Sequence, residues 1–105
     1  MVKNNLPIVV IGAGPIGLAA AAHLAAKGQE FVVLEAGVGV GAHVDEWGHV
    51  QVFSPWRFNV DPVAQRLLLR AGWIEPHAAA LPTGAGIVAG YLQPLAKLPE
   101  IAPGL

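Results

Sequence analysis

The chain contains no cysteine. That excludes disulfide bridges, thiolate metal sites, cysteine nucleophiles and a redox-active cysteine pair, and it is compatible with the cytoplasmic location expected for it. Charge is scarce as well. Only 12% of the 105 residues are Asp, Glu, Lys or Arg, about half of the ~25% usual in a soluble domain. The six basic residues are scattered and the net charge is −1, so there is no stripe suited to a polyanion and nucleic acid is not an expected partner. A small domain has more surface per residue than a large one, and should carry more charge, not less. With 54% apolar residues, much of the surface is expected to be covered, by the remainder of a larger protein or by another copy in an oligomer.

Other chemistry is missing too. His23, His43, His49 and His77 have no metal-ligand spacing among themselves, so no metal site is expected. Ser54 has no obvious paired base, which removes the usual nucleophile. No catalytic residue can be named. His23 lies on a predicted helix as an ordinary surface or packing residue. Trp47, Trp56 and Trp73 read as packing residues, and Arg57 as a solvated or salt-bridged cation.

Between Leu6 and Ala26 the only ionisable side chain is His23. The run is long enough to span a bilayer, and with Lys3 ahead of it loosely resembles a signal peptide. Gly12, Gly14, Pro15 and Gly17 interrupt it near the middle. Its first part is β-branched and its second Ala-rich, which reads as strand then helix. A membrane role is therefore not expected.

The apolar run from Leu6 to Ile11 suits a strand buried on both faces. Gly12 to Gly14 forms a tight turn. Pro15 stands where a helix would begin, Ile16 to Lys27 is rich in helix formers, and Gly28 is placed as its C-cap. Phe31 to Leu34 is a second strand. Together residues 1–36 are a βαβ core whose right-handed crossover makes the strands parallel. Ala36 to Gly41 reads as a loop, His49 to Phe53 as a short strand, and Ser54 to Asn59 as irregular. Asp61 caps a helix from Pro62 to about Ala71, closed by Gly72, with Val63, Leu67 and Leu68 on its buried face. Glu75 to Pro82 is a connector. Thr83 caps a last helix to about Lys97, weakened by Gly86, Gly90 and Pro94. The tail from Pro99 has no regular pattern. The fold class expected is α/β: a Rossmann-like unit with an incomplete parallel sheet, followed by helices.

Gly12, Gly14 and Gly17 make a G-x-G-x-x-G that directly follows a strand and directly opens a helix. Each glycine has a physical task. Gly12 permits the sharp turn, Gly14 lets a pyrophosphate approach the backbone, and Gly17 lets the helix pack close to the strands. The helix N-terminus offers unsatisfied N–H groups and partial positive charge. Small Ala21 and apolar Leu24 follow on the packing face. Glu35 closes the second strand eighteen residues after Gly17, near the spacing of a ribose-binding acid. Its carboxylate would repel a 2′-phosphate, which argues against NADP at this site and for FAD or NAD.

The run Val9-Val10-Ile11-Gly12-Ala13-Gly14-Pro15-Ile16-Gly17-Leu18, with Glu35, resembles the FAD-binding fingerprint of two-dinucleotide-domain flavoproteins, among them flavin-containing monooxygenases and the disulfide-reductase-like oxidoreductases. Gly39 to Trp47 is similar to the second glycine loop of the monooxygenase branch, but departs from it at Gly41-Ala42 and in the distance to Trp47. Phe53 to Arg57 and Leu95 to Pro99 also resemble bacterial monooxygenase-like flavoproteins. The resemblance implies a cofactor-binding set of Gly12, Ala13, Gly14, Pro15, Ile16, Gly17, Glu35 and Ala36. It implies FAD as the cofactor and an NAD(P)H-dependent oxidoreductase, monooxygenase-like, acting on a small-molecule substrate. Such enzymes carry a second glycine-rich unit for NADPH, not visible here. The chain is thus expected to be an N-terminal FAD-binding portion, inactive alone. Two other readings stay open: a non-catalytic NAD-binding sensor domain, and an inert, poorly soluble truncated fragment whose strand edges invite aggregation.

Overall fold

The computed structural model describes residues 6–37 and 39–105. Lys3, weighed above as a leader charge, and Val38, in the glycine loop, lie outside the described residues.

Two strands, β1 (Ile8–Ile11) and β2 (Phe31–Leu34), pair in parallel, from Ile8 opposite Phe31 to Ile11 opposite Leu34. Helix α1 (Pro15–Ala26) crosses between them. The first strand is shorter than expected. Pro7 has no N–H to give a ladder, and pairing opens with the Ile8 N–H donating to the Glu30 carbonyl at 3.0 Å. Lys27, not Gly28, is the C-cap of α1; Gly28 follows in the left-handed region at φ 69°, where glycine carries no steric penalty.

The expectation of burial on both sheet faces is corrected. Phe31 and Val33 are buried, whereas Val9, Ile11 and Leu34 are exposed. Side chains alternate across a strand, and α1 covers one face only. The 3-10 turn Ala102–Gly104 closes against β2: a Cβ on Gly104 would come within 2.5 Å of the Phe31 ring.

A short helix, α2 (Ala42–Asp45), follows the glycine loop. The strand expected at His49 to Phe53 shrinks to one antiparallel bridge, Gln51 with Thr83. The Val52 N–H donates to the Pro82 carbonyl at 3.0 Å, but Pro82 has no N–H with which to extend the ladder. Residues Trp56–Phe58, expected to be irregular, form a 3-10 turn.

Helix α3 (Pro62–Arg70) begins as its cap dictates. The Asp61 carboxylate accepts from the N–H groups of Val63 and Ala64 at 2.9 and 3.0 Å. Ala64, Leu67 and Leu68 are buried. The last helical segment, 84–96, runs as α4 (Gly84–Ile87), a π-turn (Val88–Leu92) and α5 (Gln93–Ala96). Proline and glycine explain its form. Pro94 cannot donate to the Gly90 carbonyl; the Trp73 indole N–H takes that acceptor instead, at 2.8 Å. At Gly86 and Gly90 a Cβ would stand 3.9 and 3.5 Å from the Trp56 ring, an ordinary contact distance, so these glycines act on the segment through their low helix propensity. Leu18, Leu68, Tyr91, Leu92, Leu95 and Ile101 are the largest fully buried side chains, and they join α1, α3 and segment 84–96 in one core.

Candidate functional site

The glycine turn sits at the C-terminal end of β1, the end at which open α/β sheets bind ligands. Gly12 takes φ 96°, and its N–H donates to the Leu34 carbonyl at 2.6 Å, tying the turn to β2. A Cβ on Gly17 would lie 1.8 Å from the Gly12 carbonyl oxygen. No side chain fits there, which accounts for the third glycine. Nothing lies within 4 Å of a Cβ built on Gly14, so that side of the turn is open.

Gly14 is also the N-cap of α1, and no side chain caps that helix. The contrast within the chain is informative. Asp61 caps α3, and the Thr83 hydroxyl accepts from the Gly86 N–H at 3.0 Å at the start of α4. Over the twelve residues of α1, Leu18 is the first whose N–H reaches back into the helix, to Gly14 at 2.9 Å. Pro15 has no N–H, and the N–H groups of Ile16 and Gly17 belong to a first turn with no intrahelical acceptor. An external anion is the partner such a start suits. The Pro15 and Ile16 side chains are exposed, Ile16 at 87%.

Glu35 turns toward the glycine turn. One carboxylate oxygen, Oε1, accepts from the Ala13 N–H and the other, Oε2, from the Gly37 N–H, each at 2.7 Å. These two bonds, Ala13 first, hold the carboxyl below its ordinary value; desolvation opposes them and the nearby His43 charge assists. Glu35 is therefore ionised at neutral pH. Its two oxygens offer about four lone-pair positions in all, so acceptor capacity remains for vicinal hydroxyls. Ala36 is exposed beside it.

The structure thus brings together Gly12, Ala13, Gly14, Gly17 and Glu35, with Pro15 and Ile16 on the open rim. Two partners escape sequence reasoning. Gly37 supplies the second hydrogen bond to Glu35, and the Gly41 N–H donates to the Ala13 carbonyl at 2.9 Å. Neither contact follows from spacing, although glycines at both positions hinted at close approach. His23 lies at the surface of α1 as expected, and its Nε2 pairs with Asp61 Oδ1 at 3.0 Å, bracing α1 against the cap of α3. Arg57 lies over the Phe58 ring, 4.8 Å from its centroid. Trp47, Trp56 and Trp73 all pack against glycines or carbonyls of segment 84–96.

An open groove of about 320 Å³ runs beside the turn, lined by β1, the turn and α1 at Ile11, Gly12, Gly14, Ile16 and Gly17 among others. A larger cleft of about 580 Å³ lies at the opposite end of the strands, between Gly28, Glu30 and Pro103. It has no helix N-terminus and its ionisable lining groups, Glu30 and Glu100, are acidic, so it does not suit a phosphate. The turn does fit a dinucleotide: an uncapped helix start, an open Gly14 and a fixed carboxylate converge on it.

Among the described residues no group of three metal-binding side chains occurs, and no helix is long and apolar enough to cross a membrane. Residues 7–96 match the model of a family described as FAD dependent oxidoreductase. Comparison with curated proteins and with solved structures gives no match.

Proposed function

The chain belongs to the FAD-dependent oxidoreductase family, and from that premise we propose that Gly12, Ala13, Gly14, Pro15, Ile16, Gly17, Glu35 and Ala36 hold the ADP half of FAD. The observation that carries this reading is the 2.7 Å hydrogen bond from the Ala13 N–H to Glu35. It joins the sugar-binding carboxylate to the phosphate-binding turn in one rigid piece.

In this reading the Ile16 and Gly17 N–H groups donate to diphosphate oxygens, helped by the dipole of α1. Gly14 admits the phosphates close to the backbone. Glu35 accepts hydrogen bonds from the ribose hydroxyls, and its negative charge disfavours a 2′-phosphate. FAD, when bound, supplies the ring system that takes up and passes on hydride or electrons; the protein contributes binding and orientation.

The finer reading is an NAD(P)H-dependent, monooxygenase-like flavoprotein acting on a small molecule. It is supported by the resemblance of residues 9–18 and Glu35 to that group. Titration calorimetry of the chain with FAD, FMN and NADP⁺ tests the binding site. FAD binding well above FMN and NADP⁺ is expected, because only FAD combines an adenylate with an unmodified ribose. FMN binding as tightly as FAD overturns it. In a protein carrying this chain together with the second glycine-rich unit that the finer reading requires, loss of the yellow oxidised-flavin absorbance on adding NADPH or NADH under argon is the expected outcome; unchanged absorbance there contradicts it.

A further inference from the structure

Segment 84–96 is far from the glycine turn in sequence, yet Gly41 meets both. Gly41 has φ 72°. A Cβ there would stand 2.9 Å from Val88 Cγ2 and 3.1 Å from Leu92 Cδ1. Its N–H donates to the Ala13 carbonyl at 2.9 Å. Gly41 is thus pressed against the π-turn on one side and bonded to the phosphate-binding turn on the other. Ala13 is only 1% exposed. Both of its backbone groups are engaged, the N–H by Glu35 and the carbonyl by Gly41.

We propose that Val88 and Leu92 are positioning residues for the cofactor turn, acting through Gly41 to aim the Gly14 N–H. The proposal rests on the dinucleotide reading of the turn. The peptide joining Ala13 to Gly14 is trans, as none in the described residues is cis. In a trans peptide the carbonyl and the N–H point in opposite directions. Holding the Ala13 carbonyl toward Gly41 therefore directs the Gly14 N–H away from it. The π-turn sets where Gly41 rests, because close-packed side chains transmit displacement rather than absorb it. Glu35 holds the preceding peptide and Gly41 the following one, so two successive peptides of the turn are fixed before a phosphate arrives. Preorganisation of this kind raises affinity by lowering the cost of ordering on binding.

The test uses the full chain with Val88→Ala, Gly41→Ala, the double variant, and Ile101→Val as a core change away from Gly41. Two readouts are taken: the Gly14 amide resonance without ligand, and FAD affinity by calorimetry. Val88→Ala is expected to shift the Gly14 resonance and weaken FAD binding several-fold. Gly41→Ala, overlapping Val88, is expected to cost about tenfold, the order of one hydrogen bond to a charged group. The double variant removes the overlap with Val88 but keeps a side chain at φ 72° and 3.1 Å from Leu92 Cδ1, so it is expected to recover part of that loss. Ile101→Val is expected to move neither readout. Should Gly41→Ala fail to fold, Val88→Ala and the double variant carry the test. A Gly14 resonance and an FAD affinity both unchanged by Val88→Ala overturn the proposal, as do shifts equal to those of Ile101→Val. Absence of FAD binding by the unmodified chain is a different failure: it removes the dinucleotide reading, while the unliganded Gly14 resonance still reports on the link to Val88.

Discussion

A Cβ on Gly17 would sit 1.8 Å from the carbonyl oxygen of Gly12. The close packing of α1 on its own entry turn is thus built on the absence of one methyl group. Gly17→Ala cannot be absorbed by rotating a side chain, since the obstacle is backbone. The expected cost is at the upper end of overpacking changes, about 3 kcal/mol, measured by denaturant unfolding. A stability within error of the unmodified chain would show that the turn is not packed this way.

Glu35 carries a pH dependence of known sign. The N–H groups of Ala13 and Gly37 lower its carboxyl. Its contribution to stability, and in the proposed reading to ribose binding, is therefore present above the ordinary carboxylate value of about 4.3 and is lost as pH falls through the lowered one. FAD affinity measured from neutral to acid pH should hold until that range and then drop. In Glu35→Gln the drop should vanish, with weaker binding throughout.

Asp61 links three elements: it caps α3, pairs with His23 of α1, and its N–H donates to the Tyr91 hydroxyl at 3.1 Å. Burial pushes its carboxyl up, but the N–H groups of Ala64 and Val63 and the His23 imidazole outweigh burial and leave it lowered. Its stabilisation is present above the ordinary aspartate value and is lost as pH falls through the lowered one. Asp61→Ala should cost about 1–2 kcal/mol at neutral pH, in the range of a lost N-cap. The difference from the unmodified chain should narrow in acid. Thermal unfolding at several pH values checks both statements.

Trp73 supplies the indole N–H that occupies the carbonyl left over by Pro94. Trp73→Phe keeps an aromatic ring but leaves the Gly90 carbonyl without that donor. The bond is part-buried, so the loss should lie toward the lower end of the about 1–3 kcal/mol that an unsatisfied buried acceptor costs. Chemical unfolding should show a loss of that order, whereas no loss would mean that water replaces the indole freely.

The βαβ unit was legible because each of its signals is local. β-branched runs give strands, an Ala- and Leu-rich run between Pro15 and Gly28 gives the helix, and glycines mark the turn. The cap of α3 was legible for the same reason, since Asp61 serves N–H groups only two and three residues on. What could not be read was set by contacts distant in sequence. The helix of 84–96 survives Pro94 because Trp73, twenty-one residues earlier, fills the vacated bond. The short strand at His49 to Phe53 failed because its partner stretch contains Pro82. The hold of Gly41 on Ala13 has no period or spacing to announce it. The low charge content does have a counterpart in the structure: Val9, Ile11, Ile16 and Leu34 lie exposed on and beside the sheet, an apolar area of the kind a further layer covers.

Whether Glu35 and the glycine turn act as one adenylate-binding unit is read from the Kd of FAD for the unmodified chain and for Glu35→Ala. Losing hydrogen bonds to a charged acceptor should raise Kd by about tenfold or more. Equal Kd values in the two proteins, with both folded, would contradict that reading.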